Sequence, residues 1–151
     1  MVGMAFSRVI LDASVTLEWF VSDKTSIATY ADDVLDAIEN REILPLVPDL
    51  WHYEVGSVLI AAKRARRITA RRLSKAVDAL NKLRPFTINT RDTASEVVEQ
   101  AAAFHLQGYD AVYFDLAKRL DVPIATSDGG IRTACRIYGV KLWKKQSAVR
   151  A

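Results

Sequence analysis

The chain has 151 residues, half of them hydrophobic and 26% charged, with a formal net charge of +3 and a single cysteine. That length and balance fit one globular domain over residues 1–151, able to bury a core without disulfide or metal staples. Cys135 alone excludes an intramolecular disulfide framework and points to a reducing cytoplasm.

No apolar stretch approaches the roughly 20 residues that would span a membrane. The opening MVGMAFSRVILDASV lacks the basic start of a secretory signal. Residues 8–12, RVILD, read as a buried strand that ends in an acid. A short helix or turn over 13–20 follows. Ser22 or Asp23 can cap the next helix, over about 25–42, with Ile27, Tyr30, Ala31, Val34, Leu35 and Ile38 at helical spacing. Residues 43–48 make a second strand, and Pro45 predicts irregular or edge pairing there.

Asp49 starts a helix that is apolar nearly all round to Ala62, the mark of a central helix. Glu54 is its only acid after the first residue, flanked by Leu50, Val58 and Ala61. A lone buried charge is very costly, so this carboxylate requires a partner or a cation. The following run, KRARRITARRLSK, holds Lys63, Arg64, Arg66, Arg67, Arg71, Arg72 and Lys75 and no acid. Thr69 caps a further helix through Leu83, and the bend presents the positive cluster. Such a run is either a solvated face or a surface for a phosphate backbone.

Residues 85–89 are a third strand. Asp92 or Thr93 starts a helix to about Gln107, with Val97, Ala101 and Phe104 inward and Gly108 ending it. The stretch from Gly108 to Gly130, GYDAVYFDLAKRLDVPIATSDGG, gives a helix from Asp110 to about Asp121 and a fourth strand over 123–126. That strand stops at Ser127, Asp128 and two glycines. A helix over about 131–138 ends at Gly139, a fifth strand covers 140–143, and the basic tail from about 144 to 151 is loose. Strands alternating with helices predict an α/β fold, a three-layer α/β/α sandwich around a mainly parallel sheet of about five strands.

Asp12 and Asp128 both end strands, so in a parallel sheet they share one edge. Helix capping is the competing account of each, and of Asp110. Asp115 lies roughly 140° around the helix from Asp110 and can pair with Arg119. If Asp12, Glu54, Asp110 and Asp128 converge, each ionised pair at about 5 Å repels by roughly 3 kcal/mol at an effective dielectric near 20. Such a cluster needs a cation or protons. An all-oxygen set selects Mg²⁺ or Mn²⁺. His52 and His105 are isolated and read as structural or surface residues. Ser14, Thr126 and Ser127 are hydroxyls able to orient a carboxylate or a bound water, or simply to bond strand ends.

In order and spacing these residues resemble the PIN-domain family, and within it the VapC toxins of toxin–antitoxin pairs. VILDASVTLEWF is similar to that family's first strand and first acid, Asp12. PDLWHYEVGSVL matches its P-x-x-x-x-x-E-V helix, with the second acid at Glu54. GYDAVYFDLAKRLDVPIATSDGGI resembles its most recognisable block, with Asp110, Asp128 and the accompanying hydroxyl of Thr126. The resemblance implies a Mg²⁺- or Mn²⁺-dependent endoribonuclease in which these four acids are catalytic and hold the metal. It also implies a homodimer and a small VapB-like antitoxin that blocks the site. RNA, such as transfer or ribosomal RNA, is the substrate expected. Separately from the resemblance, the basic residues Lys63, Arg64, Arg66, Arg67, Arg71 and Arg72 are candidates to guide its backbone. Two rivals keep the fold: a ribonuclease of RNA maturation outside a toxin system, and a catalytically idle RNA-binding or assembly module. A haloacid dehalogenase-type hydrolase also ends its first strand in an acid, but it needs a second acid two residues on, where this chain has Ser14.

Overall fold

The computed structural model describes residues 6–21 and 29–147. Four strands, β1 (Ser7–Leu11), β2 (Ile43–Pro48), β3 (Phe86–Ile88) and β4 (Ile124–Ala125), form one parallel sheet in the order β3-β2-β1-β4. Seven helices among the described residues flank it: α1 (Ala13–Val21), α2 (Tyr30–Glu39), α3 (Asp49–Arg64), α4 (Ala70–Leu83), α5 (Ala94–Phe104), α6 (Gly108–Leu120) and α7 (Gly129–Tyr138). Helix α6 packs on β1 and β2 and carries α5 on its outside, while α1 packs against α2, α3 and α4. The core is a continuous apolar cluster running from Val9, Ile10 and Leu11 through Val47 and Phe114 to Ile124 and Ile131.

This strand order places a switch point between β1 and β4. The chain leaves β1 towards β2 and β3 on one side, then crosses to β4 on the other. In open parallel sheets the crevice at such a point, outside the carboxyl ends of the strands, is where ligands bind. The register pairs Ile10 with Ile124 and Leu11 with Ala125. The next residues, Asp12 and Thr126, therefore stand level at the sheet's carboxyl edge. The Asp12 N–H donates to Ala125 O at 3.0 Å.

Several boundaries differ from the sequence expectation. Residues 140–143 do not form a fifth strand. They make one bridge, Leu142 to Ile124, with Trp143 N–H donating to Ile124 O at 2.8 Å. The strand they bridge to, β4, is two residues long and cannot support a longer ladder. β2 is an interior strand, yet its register with β3 begins at Leu46. Pro45 precedes that pairing, so its missing N–H falls where the strand is locally an edge.

Helix α2 starts at Tyr30, closed by a Thr29–Asp32 capping box. The expected caps Ser22 and Asp23, with Ile27, lie outside the described residues. Helix α5 stops at Phe104 because His105 turns left-handed at φ 53 and Leu106 N–H closes on Ala101 O at 3.0 Å. Gly108, expected to end that helix, instead begins α6. The tail is described to residue 147: Tyr30 OH donates to Trp143 O at 2.7 Å and Lys145 lies 3.8 Å from Asp33.

The largest correction concerns α3. Trp51, Val55, Leu59 and Ala62 are buried, but Tyr53, Val58, Ile60 and Ala61 are exposed. It is a one-sided surface helix, and the residues on its open face are apolar without being core.

Candidate functional site

The four acids come from four different helix or strand ends. Asp12 follows β1, Asp128 follows β4 and heads α7, Asp110 lies in the first turn of α6, and Glu54 lies in the second turn of α3. They face one another closely enough to repel: Asp110 feels the charges of Asp128, Asp12 and Glu54, Glu54 feels Asp12, and Asp12 feels Asp128.

Each is held differently. Asp12 is only 4% exposed. Its Oδ2 accepts hydrogen bonds from Ser14 Oγ at 2.6 Å and Thr126 Oγ1 at 2.7 Å. Burial pushes its pKa up; the two hydroxyls oppose that rise and Asp128 adds to it. Asp128 caps α7, its Oδ2 accepting from Ile131 N–H at 2.8 Å, while its own N–H donates to Thr126 Oγ1 at 3.0 Å. Capping is thus a true part of its role, and it occupies one oxygen. Gly130 leaves room for that oxygen, since a Cβ there would lie 3.1 Å from Asp128 Oδ2.

Glu54 Oε1 accepts from Tyr113 OH at 2.6 Å. Burial raises its pKa, the tyrosine lowers it, and Asp12 raises it again. Burial, and then the same pairing, drives the Tyr113 phenol far above its ordinary range and keeps it a donor. Asp110 does not cap α6; that place belongs to Gln107. Its carboxylate accepts no hydrogen bond among the described residues. Desolvation and the three neighbouring acids push its pKa up to about 6.

Thr126, fully buried, thus ties Asp12 and Asp128 together, and Ser14 reaches it at 3.5 Å. Ser127 joins through its N–H, which donates to Ser14 Oγ at 3.1 Å, and not through its hydroxyl. Arg132 donates from Nε to Thr126 O at 2.9 Å and stacks its guanidinium 4.7 Å above Tyr30. Tyr113 and Arg132 were not singled out in the sequence. The one available signal was spacing, since Tyr113 stands one turn after Asp110 on α6 and Arg132 one turn after Asp128 on α7.

The remaining expectations separate cleanly. Asp115 is bound elsewhere, 2.7 Å from Arg119 Nε. His52 contacts Thr87 Oγ1 at 2.8 Å and His105 ends α5, so neither joins the acids. The basic run lies at the other end of α3, where Arg64 is about 15 Å along the axis from Glu54. An apolar groove of about 460 Å³ between α1, α2 and α4, lined by Trp19, Leu35, Ile38 and Leu83, contains none of the four acids.

An all-carboxylate set facing a switch-point crevice is a hard-cation donor set. No basic side chain contributes to the shifts of Asp12, Glu54 or Asp110. Among the described residues no three acidic, histidine or cysteine side chains are gathered closely enough to hold a metal ion as they stand. The donors nevertheless fit one, because the Asp110 carboxylate, Asp128 Oδ1 and Glu54 Oε2 accept no hydrogen bond among the described residues. No helix among the described residues is long and apolar enough to cross a membrane.

The family model described as PIN domain matches residues 9–137. No curated protein matches the sequence significantly. Among solved structures, the fold is similar to the crystal structure of PAE2754 from Pyrobaculum aerophilum, with a TM-score of 0.57 and 21% identity, over 85% of this chain and 79% of that one.

Proposed function

The chain belongs to the PIN-domain family, whose members are generally metal-dependent nucleases, and from that premise we propose that it is an endoribonuclease hydrolysing RNA phosphodiester bonds. The observation that carries this reading is the gathering of Asp12, Glu54, Asp110 and Asp128 at one sheet edge, where burial and then the charges of the other three raise Asp110 to about 6. Uncompensated carboxylates of this kind are costly to keep in a fold and are held where a cation offsets them.

Asp12, Asp110 and Asp128 would hold Mg²⁺ or Mn²⁺, with Glu54 completing the set directly or through water. When bound, such a cation supplies Lewis acidity towards the phosphate and makes water acidic enough to attack at neutral pH. The chain's own part is positioning. Ser14 and Thr126 fix the Asp12 carboxylate, Thr126 and the α7 N-terminus fix Asp128, and Tyr113 fixes Glu54. Arg132 steadies Thr126 from behind. No Ser–His or Cys–His pair is needed. Lys63, Arg64, Arg66, Arg67, Arg71 and Arg72 draw the RNA backbone to a molecule whose centre repels it.

The finer reading is a VapC-type toxin, a cytoplasmic homodimer held silent by a small VapB-like antitoxin. It is supported by the three motif blocks around Asp12, Glu54 and Asp110–Asp128. Its test is growth: expression should arrest cells, and a small neighbouring gene should relieve the arrest. Growth unaffected by active enzyme would favour an RNA-maturation role.

The activity itself is tested by incubating purified protein with transfer and ribosomal RNA in Mg²⁺, Mn²⁺ or EDTA, alongside Asp110→Asn. Discrete, metal-dependent cuts absent from the variant are expected. A folded protein that cuts no RNA under any of these conditions would overturn the nuclease reading in favour of an idle RNA-binding module.

A further inference from the structure

A second feature opens on the same end of the molecule. Tyr53 and Tyr109 are 73% and 65% exposed, and each immediately precedes a site acid, Glu54 or Asp110. Both line one shallow cleft of about 280 Å³ between the first turns of α3 and α6 and the loop after β3. Leu50 and Val112 form its apolar floor, and Arg91 stands in the loop. The Glu54–Tyr113 hydrogen bond joins the same two helices one residue and four residues further on. Cleft and carboxylate centre are therefore two sides of one helix pair.

Several exposed apolar side chains, such as Phe86, Val98 and Ile137, are scattered singly. Isolated cases of that kind are ordinary. Two exposed tyrosines converging on one cleft are not scattered. Their rings are flat, amphipathic and stiff, so they offer stacking area at little entropic cost. The volume lies just under the range of about 300–1,000 Å³ for small-molecule pockets, which suits a single planar group. Arg91 is exposed and makes no ion pair with the described residues, leaving its guanidinium open to an anion. Asp92 lines the same wall, with its side chain turned to Arg119 at 3.9 Å. Aromatic faces, a free guanidinium and an adjacent phosphate-cutting centre match one ligand, a nucleotide within a single strand.

We propose that the Tyr53–Tyr109 cleft binds one unpaired base of the RNA substrate, stacked on the tyrosine rings, with Arg91 on a neighbouring phosphate. This rests on the ribonuclease reading and makes it more specific: the bond is cut beside a base that the cleft holds out of its stack. Base–aromatic stacking tolerates every sequence, so the cleft sets strand type and register, not base identity.

The test is binding of short fluorescein-labelled single-stranded oligoribonucleotides to uncut Asp110→Asn protein in Mg²⁺ at fixed salt, read by anisotropy. Tyr53→Ala and Tyr109→Ala, each added to that protein, should weaken binding about 5- to 100-fold, while Tyr53→Phe and Tyr109→Phe retain it. A set of strands carrying one abasic position each should show the loss at one or two positions only, and there the alanine changes should add nothing. Alanine variants that bind intact strands like the parent would overturn the cleft alone. The same binding accompanied by altered sedimentation would also overturn it and make the face a contact between copies of the chain. A parent that binds no strand would overturn the ribonuclease reading together with this one.

Discussion

The molecule carries two concentrations of charge, and they are built on opposite terms. At the carboxyl edge of the sheet, Asp12, Glu54 and Asp110 are desolvated, and Asp128 adds its charge to Asp12 and Asp110. Hydrogen bonds from Ser14, Thr126 and Tyr113 pin Asp12 and Glu54. At the far end of α3, Arg64, Arg66, Arg67, Arg71 and Lys75 are exposed to water. Lys63 and Arg64 in the last turn of α3 suit that helix's dipole, whereas Arg71 in the first turn of α4 opposes it. The acids cost stability, so only function or a bound cation accounts for keeping them. The exposed bases cost little, so their presence constrains the fold hardly at all. A few converging carboxylates, one of them buried and the rest half-buried, therefore say more about chemistry than a longer run of solvated charges.

Substitution at the acid centre should give the largest effect. Asp110→Asn or Asp12→Asn is expected to lower RNA cleavage on the order of 10³-fold, the scale of losing a charge-stabilising group at a reacting centre, with unchanged circular dichroism. Cleavage within a few-fold of wild type would remove that acid from the chemistry and erase the contrast between the two regions.

Next in size are the groups that hold the acids. Thr126→Val keeps the shape of a fully buried side chain but strips one of two hydroxyls from Asp12 Oδ2 and the acceptor of the Asp128 N–H. Metal affinity or activity should fall about 10- to 100-fold, as for other partners of metal-binding carboxylates. Isothermal titration with Mn²⁺ reads this directly. Equal affinity in the variant would mean that Asp12 needs no orientation.

The basic run should respond weakly and in a salt-dependent way. Arg66→Ala combined with Arg67→Ala is expected to lower RNA affinity a few-fold near 0.1 M salt and to reduce the slope of log K against log salt by up to about 2. An unchanged slope would assign this surface to a protein partner or to water.

The same contrast explains what the sequence disclosed. Asp12 and Asp128 were legible because β-branched and apolar runs stop at an acid, and parallel order then fixes a common edge. Glu54 was legible because an acid interrupts an apolar helix. Tyr113 was not, since a tyrosine in an apolar helix reads as core until its partner 59 residues away is known. The face of α3 was misread for a related reason. Periodicity reports apolar residues, not burial, and Tyr53, Val58 and Ile60 are apolar and exposed. The fifth strand failed because strand length depends on the neighbour, and β4 offers two residues. Non-glycine residues in left-handed geometry, His105 among them, end helices without a local signature.

The smallest effect is on stability, and its sign follows from Asp110. Its pKa rises from 3.8 to about 6 in the fold, so the folded protein holds a proton that the unfolded chain has released between those values. The fold gains from that proton fully below about pH 4 and loses the gain as pH rises through 6. At pH 7 the metal-free protein thus carries an ionised Asp110 that destabilises it. Asp110→Asn should therefore melt a few degrees higher than wild type at pH 7 in EDTA, with the difference shrinking on acidification and vanishing below pH 4. Excess Mg²⁺ should raise the melting temperature of wild type more than that of the variant, because a ligand that binds only the folded state stabilises it. The Arg66 and Arg67 substitutions, made on solvated side chains, should leave the melting temperature nearly flat across the same pH range. A melting difference for Asp110→Asn that is the same at pH 4 and pH 7 would show that neither burial nor the neighbouring carboxylates raise Asp110 in the folded chain. The charge contrast would then reduce to exposure alone.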